Sequence, residues 1–160
     1  MKSVTIAPFA LALATLYLSA CGDRTQPAPA PSPSAAATLS VSDGRLVLPA
    51  VKGNPGAVYF TVHNGTGKED TLKGAEVEGA KMAMLHQTSM VSGHTSMQQV
   101  EQMSVPAGGQ LVFAPGGRHV MAMDLDDSLK PGGTTNVTLA FASGAKATFP
   151  AEILAAGNAR

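Results

Sequence analysis

The sequence predicts an all-β domain, either an antiparallel sandwich or a barrel, and two observations support this fold class. Turn signals recur along most of the chain, and short runs of alternating apolar and polar residues lie between them. This spacing is typical of short antiparallel strands joined by tight turns. No run keeps a helical period over three turns. Because only 4% of the residues are aromatic, the predicted core depends on Val, Leu, Ala and Met.

Seven turn signals punctuate the chain between Thr38 and Leu154. In chain order they are Asp43-Gly44, Asn54-Pro55-Gly56, Asn64-Gly65, Pro106 to Gly109, Pro115 to Gly117, Pro131 to Gly133 and Ser143-Gly144. The runs between them include AVYFTVHN, QLVFAP, NVTLAFAS and AKATFPAEIL, which have the composition of strands. We therefore expect one β-domain over residues 38–154, with residues 155–160 as a short tail.

The start of the chain predicts export and a lipid anchor. Residues 1–20 hold one charged residue, Lys2, and an apolar run ending in small residues, which is typical of a secretory signal peptide. The sequence Leu-Ser-Ala-Cys over residues 18–21 resembles the lipobox of bacterial lipoproteins, which implies that Cys21 becomes the lipidated first residue. The protein would then lie on the periplasmic side of a bacterial membrane. An uncleaved membrane anchor is the alternative, although Pro8 interrupts it.

Residues 21–37 differ in composition from the domain that follows. After Cys21, Pro alternates with Ala and Ser, so this segment cannot build a core. We expect an extended tether that holds the domain on the order of 50 Å from the membrane. A disordered leader without a spacing role is the alternative.

Charge and cysteine content exclude several classes of function. The chain has 11 basic and 11 acidic side chains and no basic stripe for nucleic acid. Cys21 is the only cysteine, which excludes an internal disulfide, a zinc site built from cysteines and a cysteine nucleophile in the domain. No Ser-His-Asp arrangement, phosphate loop or paired acidic motif stands out, so we predict that the protein is not an enzyme.

Methionine and histidine cluster in one part of the sequence. Apart from Met1, all the methionines lie between residues 82 and 123, together with three of the four histidines. In the segment GRHVMAMDL, His119, Met121 and Met123 alternate with other residues, so in a strand they would share one face. Methionine used only to fill a core would also occur in the flanking strands. The cluster therefore predicts a chemical role.

Thioether sulfur and neutral imidazole together are ligands that suit Cu(I). Thioether sulfur is too soft a donor for Mg²⁺ or Ca²⁺ and too weak a donor for Zn²⁺. A blue-copper electron-transfer centre needs a Cys thiolate, which the domain lacks. The residue types thus predict a Cu(I) carrier and argue against an electron relay.

The spacing within the cluster is specific. His86 is followed by ten residues and Met97, then by 21 residues, His119, one residue and Met121. This H-x10-M-x21-H-x-M pattern resembles the signature of the periplasmic copper chaperone family PCuAC, and PAGGQLVFAPGGRHVMAMDL resembles that family's segment through the His-x-Met strand. The resemblance implies that these four residues bind Cu(I). It also implies a cupredoxin-like antiparallel Greek-key β-sandwich that delivers copper outside the cytoplasm, notably to the copper centre of cytochrome c oxidase.

Local geometry is compatible with one shared site. His119 and Met121 would lie about 7 Å apart on one strand face. If KMAMLH is a strand, its two methionines share the face of His86. A turn over residues 88–95 would bring Met97 back beside His86.

Four further residues are candidate accessory ligands: Met84, Met90, His94 and Met123. Met84 and Met123 fit either the core or a soft shell around the metal. Met90 and His94 fall in the predicted turn, where they could capture or relay copper.

Two other functions stay open at this stage. One is a copper-sequestering or resistance lipoprotein that holds copper and passes it to no acceptor. The other is a lipoprotein whose sandwich binds another protein through an adaptable Met-rich surface.

Overall fold

The computed structural model describes residues 38–91 and 93–158. The predicted signal peptide, the lipidated Cys21 and the tether lie outside the described residues. Within those residues, no helix is long and apolar enough to cross a membrane. The described chain forms ten strands: β1 Leu39–Val47, β2 Gly56–Asn64, β3 Asp70–Val77, β4 Ala80–Val91, β5 His94–Gln99, β6 Met103–Val105, β7 Gln110–Phe113, β8 Arg118–Leu125, β9 Thr134–Phe141 and β10 Lys146–Leu154.

These strands form one continuous sheet. In the order of hydrogen-bonded neighbours the sheet runs β5-β4-β8-β2-β1-β10-β9-β3-β6, and β7 pairs with β2 beside β8. Among the described strands, only β1 and β10 run parallel to each other. The predicted all-β antiparallel fold class is confirmed, with this one pair as the exception.

The sheet folds over into two layers. β3 and β4 are joined by the two-residue turn Glu78-Gly79, yet five strands separate them in the sheet order. Strands so close in the chain can be so far apart in the sheet only if the two ends of the sheet face each other. The result is a cupredoxin-like β-sandwich with a hydrophobic core between its layers.

Buried and partly exposed residues alternate along the strands, and the buried ones form the core. In β2 every second residue from Gly56 to Asn64 is buried, and those between are partly exposed. Phe60 is 1% exposed and stacks on Phe113 with ring centroids 4.3 Å apart, while Phe149 packs against it at 5.2 Å. The expectation that the core depends on Val, Leu, Ala and Met is therefore incomplete, because the few aromatic residues are concentrated at its centre.

Most of the predicted turns are present, and one is wrong. Backbone N–H groups close four of them: Gly109 donates to Pro106, Gly117 to Ala114, Gly133 to Lys130 and Gly144 to Phe141. Asp43-Gly44 is not a turn, since β1 continues through both residues as a β-bulge opposite β2. Asp43 has a φ of 57°, and a Cβ at Gly44 would lie 2.7 Å from the Phe149 ring. The bulge shifts the register so that Arg45 pairs with Tyr59.

Asn64 is a buried polar residue at the end of β2. Its side-chain amide donates to the carbonyls of Lys68 and Val105 at 2.8 and 3.0 Å, and its Oδ1 accepts from Thr66. Asn64→Ala would leave buried acceptors without a donor, so urea denaturation should show a free energy of unfolding lower by about 1–3 kcal/mol. Asn54→Ala, at an exposed position, is the control and should change it by less than about 0.5 kcal/mol. Equal losses in the two variants would contradict this role of Asn64.

Candidate metal centre

The pairing of β4 with β8 gathers histidine and methionine side chains on one side of the sheet. Three residue pairs lie directly opposite each other: His86 with His119, Met84 with Met121, and Met82 with Met123. Directly opposed residues of an antiparallel pair point to the same side. The residues between them lie on the core side, where Leu85 and Val120 oppose each other and are buried. The six His and Met residues therefore lie on the side of the two strands that faces away from the core, which we call the His/Met face.

This register settles where the methionines of β4 and β8 lie. KMAMLH lies within β4, and Met82 and Met84 share the side of His86, as expected if this segment is a strand. The core alternative for Met84 and Met123 is wrong, because both lie on the His/Met face and are partly exposed. Met103 in β6 is instead a core residue.

His86 is the most unusual residue of the His/Met face. Its ring lies beside that of His119, with centroids 5.7 Å apart and ring planes at 39°. Both ring nitrogens of His86 are shielded from solvent, and neither has a hydrogen-bond partner within residues 38–91 and 93–158. An unpaired buried polar atom costs about 1–3 kcal/mol, and native proteins seldom keep one without a reason. Two such atoms on one ring indicate a site that a further ligand completes.

Removing the two unpaired ring nitrogens of His86 should not weaken the metal-free fold. In His86→Leu the unpaired nitrogens are replaced by apolar atoms, so we expect an unchanged free energy of unfolding or a gain of up to about 1 kcal/mol. Thermal and urea denaturation of the metal-free protein measure the difference. A loss above about 1 kcal/mol would mean that His86 is a structural residue.

His119 is oriented by the backbone. The residue is 6% exposed, and Nδ1 of its ring lies 3.3 Å from the carbonyl oxygen of Gly117. A proton on Nδ1 that is donated to this carbonyl leaves the lone pair of Nε2 free. Backbone partners of this kind fix the tautomer and ring orientation of metal-binding histidines. His119 can therefore present Nε2 to an ion.

The surroundings of His86 favour its neutral form. Burial lowers the pKa of His86 below its usual range, and the nearby His119 lowers it further by charge repulsion. The neutral imidazole is the form that binds a metal. His86 is therefore ready for a metal ion down to a lower pH than an exposed histidine.

Tyr59 and Arg45 extend the centre across β2 and β1, and sequence reasoning missed both. The Tyr59 ring lies 6.4 Å from that of His119, and the Arg45 guanidinium lies over Tyr59 at 5.6 Å. Burial raises the pKa of Tyr59 and Arg45 opposes the rise, so the phenol stays neutral near pH 7. Alternation in AVYFTVHN could have placed Tyr59 on the outer side. Only the register of β2 with β8 brings it beside His119.

Met97 lies on the same side of the sheet as His86, at a position of β5 two residues further along the pairing of β4 with β5. In the pairing of β4 with β5, Gln99 is opposite His86 and Met97 is opposite Thr88. Met97 is thus a diagonal neighbour of His86, and it is 51% exposed. In a flat sheet with this register the Cα atoms of Met97 and Met121 would be about 17 Å apart, on opposite sides of His86. The structure groups Met121 with the two histidines and leaves Met97 at the edge of the group.

The hairpin between β4 and β5 is tighter than the sequence suggests. The predicted turn over residues 88–95 is wrong in length, because β4 continues to Val91 and β5 begins at His94. Met90 is opposite Thr95, whose hydroxyl lies 3.9 Å from its sulfur, and it is 73% exposed on the side of the His/Met face. His94 pairs with Val91 and so lies on the other side of the sheet.

The donor set limits the kind of metal that could bind. Residues 38–91 and 93–158 contain no group of three or more His, Cys, Asp and Glu side chains that could hold a metal ion. An ion on the His/Met face would need thioethers beside the two imidazoles, which favours a soft ion. The fold and this set of side chains together are those of a β-sandwich domain with a candidate soft-metal centre.

Comparison with known proteins gives the family. Residues 39–153 match the family model described as "Putative lipoprotein LpqE-like", and the chain belongs to this LpqE-like family. The "Putative lipoprotein Lxx21020" of Leifsonia xyli subsp. xyli is 35% identical over 89 residues, which are 55% of this chain and 54% of that protein. The chain thus spans about half the length of this curated relative.

Several solved structures resemble the domain. The Cu(I) form of DR1885 from Deinococcus radiodurans is 30% identical with a TM-score of 0.58, over 76% of this chain and 80% of that one. The apo form of DR1885 is 28% identical with a TM-score of 0.54, over 91% and 98%. The copper-bound PCuAC domain from PmoF2 has a TM-score of 0.60 at 20% identity, over 73% and 92%, and supports the fold alone. The predicted resemblance to PCuAC domains and the predicted cupredoxin-like fold are confirmed.

Proposed function

We propose that this protein binds one Cu(I) ion at the His/Met face and carries it to a cuproprotein outside the cytoplasm. The ligands are His86, Met97, His119 and Met121. The proposal is carried by His86, which lies directly opposite His119 and whose two buried ring nitrogens have no partner in the described part of the chain. The likeness to the Cu(I) form of DR1885, at 30% identity, supports copper as the ion.

The ligand set suits a carrier. Two neutral imidazoles and two neutral thioethers match the softness of Cu(I). They hold the ion without the thiolate bonds that would resist its release. Met121 adjoins His119 on β8, whereas Met97 has to approach His86 from β5 when the ion binds.

An accessible centre favours transfer over storage. Met97 is half exposed at the edge of the group, so an acceptor can offer its own ligands while the ion is still held. A lipid on Cys21 would keep the carrier on the periplasmic side of the membrane, near acceptors such as the copper centre of cytochrome c oxidase, and raise its effective concentration there. Membership of a lipoprotein family supports the anchor.

A Cu(I) competition titration tests the ligand set. The full chain carries Cys21→Ser, so that its thiol does not compete, and is compared with a Met97→Ala, Met121→Ala variant. We expect one tightly bound Cu(I) per chain and an affinity lower by about tenfold or more in the variant. Met103→Leu, which removes a sulfur atom from the core and not from the His/Met face, is the control and should bind normally. No binding, or equal binding in the double variant, would overturn the proposed ligands.

Copper transfer separates a chaperone from a sequestration protein. The loaded protein is mixed with an apo subunit of cytochrome c oxidase, and the copper content of each is measured after separation. We expect the subunit to gain copper as the carrier loses it. Retention of the ion by the carrier would favour sequestration.

Acid should weaken Cu(I) binding because protons compete for the imidazoles. Since burial lowers the pKa of His86, competition at this residue begins below the usual histidine pKa of about 6.5. Affinity should then fall by about tenfold per pH unit for each imidazole that must lose a proton. Competition titrations between about pH 7 and pH 5 measure the fall, and a constant affinity would contradict a two-histidine site. The metal-free protein should also lose stability on acidification, because the unfolded chain takes up the proton at a higher pH than folded His86.

A further inference from the structure

We infer that Met82, Met84 and Met123 form a second, weaker Cu(I) site that adjoins the proposed His86–His119 site through Met121. The inference rests on the proposed Cu(I) function and extends it to residues outside the proposed ligand set. We call the four residues Met82, Met84, Met121 and Met123 the methionine array.

The array is compact. Met82 lies opposite Met123, and Met84 lies opposite Met121. Opposed Cα atoms of an antiparallel pair are about 4.5–5.5 Å apart, and residues two apart along a strand are about 7 Å apart. Each methionine side chain has three rotatable bonds, so sulfur atoms held at these spacings can converge on one ion.

Packing does not account for these methionines. The core side of the same strands is filled by Leu85, Val120 and Ala122, whereas Met82 is 55% exposed on the outer side. The outer positions from 82 to 86 and from 119 to 123 are all Met or His. A surface used only for apolar contact could carry any large apolar side chain. Restriction to sulfur and imidazole indicates a soft ion as the occupant.

The array offers a route to and from the proposed first site. Met84 lies two residues before His86 on β4, and Met121 lies two residues after His119 on β8, so each methionine is the nearest neighbour of a histidine on the same side of its strand. An ion in the array can therefore exchange one thioether at a time for an imidazole. Each exchange replaces one neutral ligand by another, and copper stays as Cu(I) throughout. A site without imidazole should bind more weakly and fill second. It would be the position where an acceptor or donor first meets the ion.

Titration with Ag(I), a redox-inert stand-in for Cu(I), tests the inference by NMR. The full chain with Cys21→Ser is labelled with carbon-13 in the methionine methyl groups. We expect two equivalents to bind. The first should shift the methyl signals of Met97 and Met121, and the second should shift those of Met82, Met84 and Met123.

A triple variant, Met82→Leu, Met84→Leu and Met123→Leu, keeps the apolar side chains but removes the sulfur atoms. It should lose the second equivalent and bind the first with unchanged affinity, whereas Met103→Leu, which removes a sulfur atom from the core, should bind both. Binding of two equivalents of Ag(I) by the triple variant, or of only one by the protein with an intact methionine array, would overturn this inference and leave the proposed function standing. The inference would also be overturned if the triple variant still bound Ag(I) normally and lost only a metal-independent interaction with a partner protein. If neither equivalent binds, or if His86→Ala leaves the first unaffected, the proposed function itself fails.

Discussion

In a variant with both His86→Ala and His119→Ala, we expect the Cu(I) affinity near pH 7 to fall by about a thousandfold or more, which is ~4 kcal/mol. The two ring centroids lie 5.7 Å apart, and no described residue forms a hydrogen bond with the ring nitrogens of His86. Loss of a residue that only supports a metal ligand already costs about 10–100-fold in affinity. Removal of two ligands should therefore cost more. Competition titration against a Cu(I) chelator, with Cys21→Ser throughout, measures the loss.

His63→Gln is the matched control for this pair. His63 also lies in a strand of the sandwich, but the part of β2 that contains it pairs with β7 and not with β8. Its Nε2 lies 3.1 Å from the hydroxyl of Ser42, so this ring already has a partner. We expect normal Cu(I) affinity in His63→Gln. An equal loss in the control, or wild-type affinity in the double variant, would place the metal elsewhere.

The sequence predicts which side chains share one side of a strand better than it predicts which strands lie beside each other. The shared side of His119, Met121 and Met123 depends only on the period of a strand, so it could be predicted from nine residues. The strand that lies opposite is not a local property. Pairing of β4 with β8 joins segments more than 25 residues apart and places His86 against His119. Tyr59 joins the centre through a third strand, and its pattern resembles that of any half-exposed strand residue.

Turn signals are also local, so they cannot show which distant residues a segment will contact. Asp43-Gly44 and Ser143-Gly144 look alike as turn signals, yet only the second is a turn. At Gly44 the decisive contact is the Phe149 ring, which leaves no room for a Cβ. Because Phe149 is far away in the chain, a local pattern cannot distinguish a bulge from a turn. The length of the hairpin before Met97 was missed for a related reason, since polar residues of an exposed edge strand resemble those of a loop.

Phe60→Ala should lower the free energy of unfolding by about 3–5 kcal/mol, the largest loss of stability that we expect from a single core change. Phe60 is fully buried, stacks on Phe113 and contacts Phe149, so truncation leaves a cavity between the two layers. Urea denaturation of the metal-free protein measures the loss. If the alanine variant does not fold, Phe60→Leu should show an intermediate loss. Val112→Ala, at an exposed position of β7, is the control and should change stability by less than about 0.5 kcal/mol.

Copper should stabilise the wild type and Phe60→Ala by the same free energy. Phe60 points into the core, whereas the proposed ligands lie on the outer side of β4, β5 and β8. An ion that binds only the folded state adds about 2.7 kcal/mol at a free concentration of a hundred times Kd. Thermal unfolding with and without Cu(I) gives the two gains. A smaller gain in Phe60→Ala would mean that the cavity displaces β8, and the aromatic core would then hold the ligands in register as well as stabilise the fold.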